Sequence, residues 1–204
     1  MTKPDALAHP VSQSSWRNLP NMLTLLRLVL VVPFAVALFW QEGQSSTARV
    51  IATVIFMAAS ATDFVDGYLA RSRNLVTNFG KVADPIADKL LTGTALIGLS
   101  ALGQLSWWVT WIILGREVAV TLLRFWVIRD GVIPASRGGK LKTVVQIVAI
   151  IGYLLPLSSV AFDVAQGIMA LAVLLTVATG IDYAVRAVNL HRRAVPAARS
   201  SAPS

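Results

Sequence analysis

Apolar residues run along this chain in stretches of about 20, the length at which a helix crosses the hydrocarbon core of a bilayer. Six such stretches predict six transmembrane helices, at 21–40, 48–70, 83–102, 107–128, 141–160 and 164–190. The breaks carry turn chemistry: 42–46, 74–78, 103–104, 131–139, and 156–159 with Pro156. A short stretch at 12–20, with Trp16 and Leu19, is expected to lie in the membrane interface. The predicted fold class is all-α integral membrane, with six transmembrane helices and a short N-terminal interfacial helix. Three regions follow: a flexible or interfacial segment at 1–20, the six-helix domain at 21–193, and a disordered tail at 194–204 rich in Ala, Pro and Ser.

Composition agrees with this pattern. Hydrophobic residues make up 55% and charged residues 14% of the 204, whereas soluble domains carry about 25% charged. Mean hydropathy is +0.67. The chain has no cysteine, which excludes disulfides, thiolate metal sites and cysteine nucleophiles. Its start lacks the basic-then-apolar layout of a cleaved signal, so the first apolar stretch is expected to remain as a spanning helix.

The net charge of +8 is placed as membrane flanks require, not as a nucleic-acid surface would be. Lys3 and Arg17 precede the first stretch; Arg71, Arg73 and Lys81 follow the second; Arg129, Arg137, Lys140 and Lys142 follow the fourth; Arg192, Arg193 and Arg199 end the chain. The opposite side has only Arg49. Both termini are therefore expected in the cytoplasm, and nucleic acid is not an expected partner.

The candidate chemistry lies in two segments, Asp63-Phe-Val-Asp66-Gly67-Tyr-Leu-Ala70-Arg71 and Gly80-Lys-Val-Ala-Asp84-Pro85-Ile-Ala-Asp88. Spacings of three and four put each aspartate pair on one helix face. A short link between antiparallel helices lets all four meet at one depth. Two like charges about 4 Å apart repel by about 4 kcal/mol at an effective dielectric of about 20, so bound cations are needed. Oxygen ligands without nearby His or Cys point to Mg²⁺ or Mn²⁺, with two ions for this many carboxylates. Asp84 before Pro85 equally fits a helix N-cap followed by proline at the first helical position. Capping uses one acid, however, and here there are four. Gly67 beside a ligand aspartate would let a phosphate approach the backbone; close helix packing would also use it.

These residues fill every position of a pattern, Asp63-x-x-Asp66-Gly67-x-x-Ala70-Arg71, eight residues, then Gly80-x-x-x-Asp84-x-x-x-Asp88, that resembles the signature of the CDP-alcohol phosphotransferase family. The likeness extends from Asn21-x-x-Thr24-x-x-Arg27 through Gly115-Arg116-Glu117 and Arg124 to Gly139-Lys140-x-Lys142-Thr143, segments similar to the bacterial phosphatidylglycerophosphate synthase branch. The resemblance implies metal ligation by Asp63, Asp66, Asp84 and Asp88, with Asp88 also the general base. It implies a CDP site lined by Asp63, Asp66, Gly67, Ala70, Arg71 and Gly80, with Asn21 and Thr24 beside it. In that family an acceptor hydroxyl attacks the phosphorus bearing diacylglycerol, and CMP leaves. The partners implied are CDP-diacylglycerol, an acceptor alcohol and membrane lipids, in a homodimer at the bacterial cytoplasmic membrane with the site facing the cytoplasm.

The remaining charges bear on the acceptor. Arg116, Glu117 and Arg124 interrupt the fourth stretch, Lys140 and Lys142 open the fifth, and Arg27 lies near the inner end of the first. Ionisable groups inside a membrane are functional candidates, and several cations beside a carboxylate–metal site imply a second anion. Arg116, Arg124, Lys140, Lys142 and Arg27 are accordingly expected to hold an acceptor phosphate. The charges alone do not separate sn-glycerol 3-phosphate from inositol phosphate, which shares the same phosphate, or from phosphatidylglycerol, which as acceptor would make a cardiolipin synthase. The resemblance to the phosphatidylglycerophosphate synthase branch implies sn-glycerol 3-phosphate. Glu117 and Arg124, seven apart, are expected to offset each other in part, and Lys140 and Lys142 also satisfy the inside-positive bias alone. A transporter or channel is the rival from another class. His9 and His191 are expected to be solvated, and Asp182 with Arg186 to form a local ion pair.

Overall fold

The computed structural model describes residues 19–72, 78–127 and 137–200, with side chains at 22–62, 86–127 and 138–192. The described residues form α-helices and no strand: α1 (Leu19–Phe39), α2 (Ser46–Ser72), α3 (Asn78–Ala101), α4 (Trp107–Val127), α5 (Arg137–Leu154) and α6 (Ser159–Ser200). Each apolar stretch has thus become one helix, which satisfies every interior backbone group within the segment.

The helix ends depart from expectation in three places. α3 starts at Asn78 rather than 83, so helical residues 78–83 precede Asp84. Asp84 is therefore no N-cap, and Pro85 sits inside the helix, as Pro33 does in α1. α5 stops at Leu154 rather than 160, because Pro156 has no N–H to give and disfavours helical geometry in the residue before it. α6 starts at Ser159 and continues to Ser200, so the tail expected to be disordered from 194 is helical that far. Ala194, Ala197 and Ala198 supply strong helix propensity there. The expected interfacial stretch at 12–18 and the last four residues lie outside the described ones.

α1 turns into α2 through a tight 3₁₀ segment, Trp40–Gly43, in which Gln41, Glu42 and Gly43 take φ of 49°, 57° and 74°. Gly43 is required twice over: its φ suits glycine, and a Cβ would stand 2.8 Å from Leu102 Cδ1. α1 packs on both α2 and α3, while α6 packs on α5 and α4, and α2 and α3 both touch α5. Phe34, Phe56, Leu91, Leu96, Leu99, Ile113, Ile150 and Leu154 fill the centre, all at most 2% exposed. Gly98 lets α1 approach α3, since a Cβ there would lie 2.5 Å from Leu38 Cδ2. A buried polar clamp adds to the α3–α4 contact: the Ser100 and Thr110 hydroxyls lie 2.7 Å apart, and Thr110 Oγ1 donates to the Leu96 carbonyl at 3.2 Å.

The outside is as apolar as the inside. Val29, Val32 and Val36 on α1, Val118, Leu122 and Phe125 on α4, and Val164, Leu174 and Ile181 on α6 are all exposed. A water-soluble monomer rarely shows so continuous an apolar surface. The architecture is that of a membrane protein. By length and composition, Met22–Gly43 and Ser159–Arg192 suffice to cross a bilayer, and Ser46–Thr62 is a shorter apolar helix. In α4, Arg116, Glu117 and Arg124 interrupt the apolar run.

One end of the bundle gathers three turns. Gln44, Arg49, Gly103, Gln104, Leu155 and Pro156 line a common recess there. Arg49 donates from Nε to the Leu154 carbonyl at 3.1 Å and from Nη2 to the Tyr153 carbonyl at 2.6 Å, closing the C-terminus of α5. The C-terminal ends of α2 and α4 and the N-terminal ends of α3 and α5 therefore lie at the opposite end.

Candidate active site

At that opposite end the backbone of α2 runs helically through Asp63, Asp66, Gly67, Ala70 and Arg71, and α3 runs through Gly80, Asp84 and Asp88. The two helices are separated by residues 73–77, a link that can reach no more than about 20 Å when extended. The side chains of Asp63, Asp66, Gly67, Ala70, Arg71, Gly80, Asp84 and Asn21 lie outside the described ones. Among the described residues no three of His, Cys, Asp or Glu gather as a metal site. Asp88 is the one member of the expected carboxylate set with a described side chain. It is half-buried on α3. Thr24 and Arg27 are fully buried on α1, the helix packed against both α2 and α3.

Asp88 opens onto a cavity of about 320 Å³ between α3, α4 and α5. Its polar lining includes Asp88, Lys89, Thr92, Glu117, Lys142, Thr143 and Gln146; Ile97, Leu114, Val118 and Ile147 are among its apolar walls. The hub of the polar part is Glu117. Its Oε1 accepts from Lys142 Nζ at 2.5 Å and from Arg116 Nη1 at 3.0 Å, and its Oε2 lies 3.7 Å from Lys89 Nζ. Lys142 is only 4% exposed. A buried ammonium is tolerable because it is hydrogen-bonded to a carboxylate. Three cations around one carboxylate leave a surplus of positive charge around Glu117.

The expected cations divide on structural grounds. Lys142 lines the cavity. Arg116 does not: it turns to α6, donating from Nη2 to Thr179 Oγ1 at 3.0 Å and lying over Gly180. Lys140 and Arg124 are exposed and outside the cavity lining. The expected Glu117–Arg124 offset is replaced by Lys142, Arg116 and Lys89, which approach from the facing helices and from the adjacent position. Lys89 and Gln146 went unnoticed in the sequence; the only signals were adjacency to Asp88 and a position four beyond Lys142. Asp182 and Arg186 form the expected pair at 3.0 Å on the exposed face of α6. His191, expected to be solvated, packs against Trp126 in a tilted arrangement with ring centroids 4.4 Å apart.

Residues 17–178 match the family model for CDP-alcohol phosphatidyltransferases, which covers most of the chain and all four aspartates. The chain belongs to that family. This phosphatidyltransferase is 59% identical over 172 residues to a protein of Mycobacterium tuberculosis (strain H37Rv) named probable phosphatidylglycerophosphate synthase, covering 84% of this chain and 82% of the relative. It is 41% identical over 179 residues to a CDP-diacylglycerol–glycerol-3-phosphate 3-phosphatidyltransferase of Bacillus subtilis (strain 168), covering 81% and 93%. A Haemophilus influenzae protein of the same name is 36% identical over 172 residues, covering 81% and 91%. Members of the family generally depend on a divalent metal ion. The donor chemistry fits: the aspartate positions on α2 and α3 offer oxygen ligands, which hard divalent cations prefer, and Asp88 faces an open cavity.

Proposed function

We propose that this phosphatidyltransferase transfers the phosphatidyl group of CDP-diacylglycerol to sn-glycerol 3-phosphate, giving phosphatidylglycerophosphate and CMP. The observation that carries the reading is the pairing, in one cavity, of the Asp88 carboxylate with the buried ammonium of Lys142. A carboxylate serves to take a proton from an attacking hydroxyl, and a fixed cation serves to hold an anionic acceptor. The names of the relatives supply the two substrates.

In this mechanism the acceptor phosphate binds Lys142, with Lys89 nearby and Arg116 bracing Glu117 from behind; Lys140, Arg124 and Arg27 add positive potential farther off. The acceptor's terminal hydroxyl gives its proton to Asp88 as its oxygen attacks the phosphorus bearing diacylglycerol. The bond from that phosphorus to CMP breaks, and CMP leaves with the electron pair. Asp63, Asp66, Asp84 and Asp88 would hold Mg²⁺ or Mn²⁺, two ions in this reading, which supply charge neutralisation at the diphosphate. Gly67, Ala70, Arg71 and Gly80, with Asn21 and Thr24 from α1, line the CDP moiety. The domain at 21–193 spans the membrane six times with both termini and the site on the cytoplasmic face of a bacterial inner membrane, and the protein acts as a homodimer. The lysine and arginine bias toward the Asp88 end supports that orientation.

The test is an acceptor panel with purified protein in detergent and Mg²⁺ or Mn²⁺. CMP release from CDP-diacylglycerol should be strongest with glycerol 3-phosphate. Preference for inositol phosphate or phosphatidylglycerol would reassign the acceptor, and no CMP with any acceptor would remove the enzyme reading.

A further inference from the structure

Gln146 poses a problem that the mechanism above does not solve. It is 5% exposed, it lines the cavity, and its Oε1 is buried without a hydrogen-bond partner. A buried amide oxygen left without a donor is costly and uncommon in native proteins. Other polar groups on the cavity wall donate elsewhere, and none donates to Gln146 Oε1. Thr143 donates its hydroxyl to the Gly139 carbonyl at 3.1 Å and Thr92 donates to the Asp88 carbonyl at 2.9 Å. Lys142 is bonded to Glu117.

Position gives the amide a use. Gln146 follows Lys142 by one turn of α5, about 6 Å of rise, and both line the same space as Asp88. A three-carbon phosphate ester held at Lys142 by its phosphate and at Asp88 by its terminal hydroxyl carries one more hydroxyl between them. We infer that Gln146 is a specificity-determining residue whose side-chain amide hydrogen-bonds this secondary hydroxyl of the acceptor. The inference rests on the glycerol 3-phosphate reading and deepens it. A site built around a substrate hydroxyl rejects the analogue lacking it, because the buried polar group is then left unpaired.

The experiment pairs a substitution with a matching deletion in the substrate. CMP release is measured with glycerol 3-phosphate and with 3-hydroxypropyl phosphate, which lacks the secondary hydroxyl, for the unsubstituted protein, Gln146→Leu and Gln146→Glu. The unsubstituted protein should prefer glycerol 3-phosphate by roughly tenfold or more in kcat/KM. Gln146→Leu should lose that preference by slowing the natural acceptor while leaving the deoxy analogue within about threefold. Gln146→Glu, which keeps an acceptor oxygen, should restore part of it. If the preference survives in Gln146→Leu, or both acceptors slow equally in both variants, the inference fails while the glycerol 3-phosphate reading stands. If the unsubstituted protein ignores glycerol 3-phosphate and works on another acceptor, the reading itself fails and takes the inference with it.

Discussion

Replacing Lys142 with methionine separates the two jobs assigned to that side chain. Methionine keeps most of the apolar stem that fills the α5 wall and removes only the ammonium. A hydrogen bond to a charged group contributes about 1.5–3 kcal/mol, and each 1.4 kcal/mol is about tenfold. The KM for glycerol 3-phosphate should therefore rise roughly 10- to 140-fold. The KM for CDP-diacylglycerol should stay close to the parent value, because the proposed metal and CDP positions lie on α1, α2 and α3, not on α5. The stability cost should be small for an almost buried ion pair. Orphaning a buried charge costs about 3–5 kcal/mol, but Glu117 keeps Arg116 at 3.0 Å and Lys89 at 3.7 Å after the change. A loss of about 1–2 kcal/mol is expected, by analogy with one net charge-assisted bond. The assay is CMP release across acceptor concentrations at saturating lipid, with thermal unfolding in the same detergent. An unchanged acceptor KM, or a rise confined to the lipid substrate, would refute the phosphate-holding role.

Asp88→Asn should leave thermal unfolding near that of the parent while CMP release falls by about 10²–10⁴-fold, the range a positioned base supplies; near-normal turnover would take Asp88 out of the base role. Arg49→Met should lower stability by about 2 kcal/mol through loss of its bonds to the α5 carbonyls. Activity measured below the unfolding transition should be largely kept, because Arg49 lies at the end of the bundle away from Asp88. Gly98→Ala should destabilise by about 1–3 kcal/mol, since the new methyl meets the buried Leu38 side chain at the α1–α3 crossing; an unchanged melting temperature would show that Leu38 can yield.

Much of the fold could be seen in the apolar rhythm of the chain, because a helix that must bury its backbone polar groups in lipid leaves a length signature. The helix ends were harder. Asp84-Pro85 has the residues of a cap, and proline prefers the first turn of a helix to its interior, yet α3 begins at Asn78, so the local preference is overridden there. Pro156 was visible as a break, but the length of about 20 residues that a span requires carried the expected helix through it to 160, whereas α5 stops at Leu154. In the described helices, spacing within one helix was informative: Asp182 and Arg186, four apart, form the pair their periodicity predicts. Contacts between helices were not. Arg116, central in α4, was expected at the acceptor, but the face it occupies meets Thr179 of α6. The Glu117 carboxylate is approached by Lys142 from α5 and Lys89 from α3, partners that depend on packing angles no one-dimensional spacing encodes. Gln146 was invisible for the same reason, since its significance lies in an amide left unbonded inside a cavity.

The central claim is that aspartates from α2 and α3 jointly hold the divalent ions that catalysis needs. Mn²⁺ binding to the purified protein, followed by electron paramagnetic resonance and compared with Asp66→Asn and Asp84→Asn, tests it most directly. Each substitution, one on α2 and one on α3, should weaken Mn²⁺ binding and abolish CMP release together. Undiminished Mn²⁺ binding in both variants would contradict it.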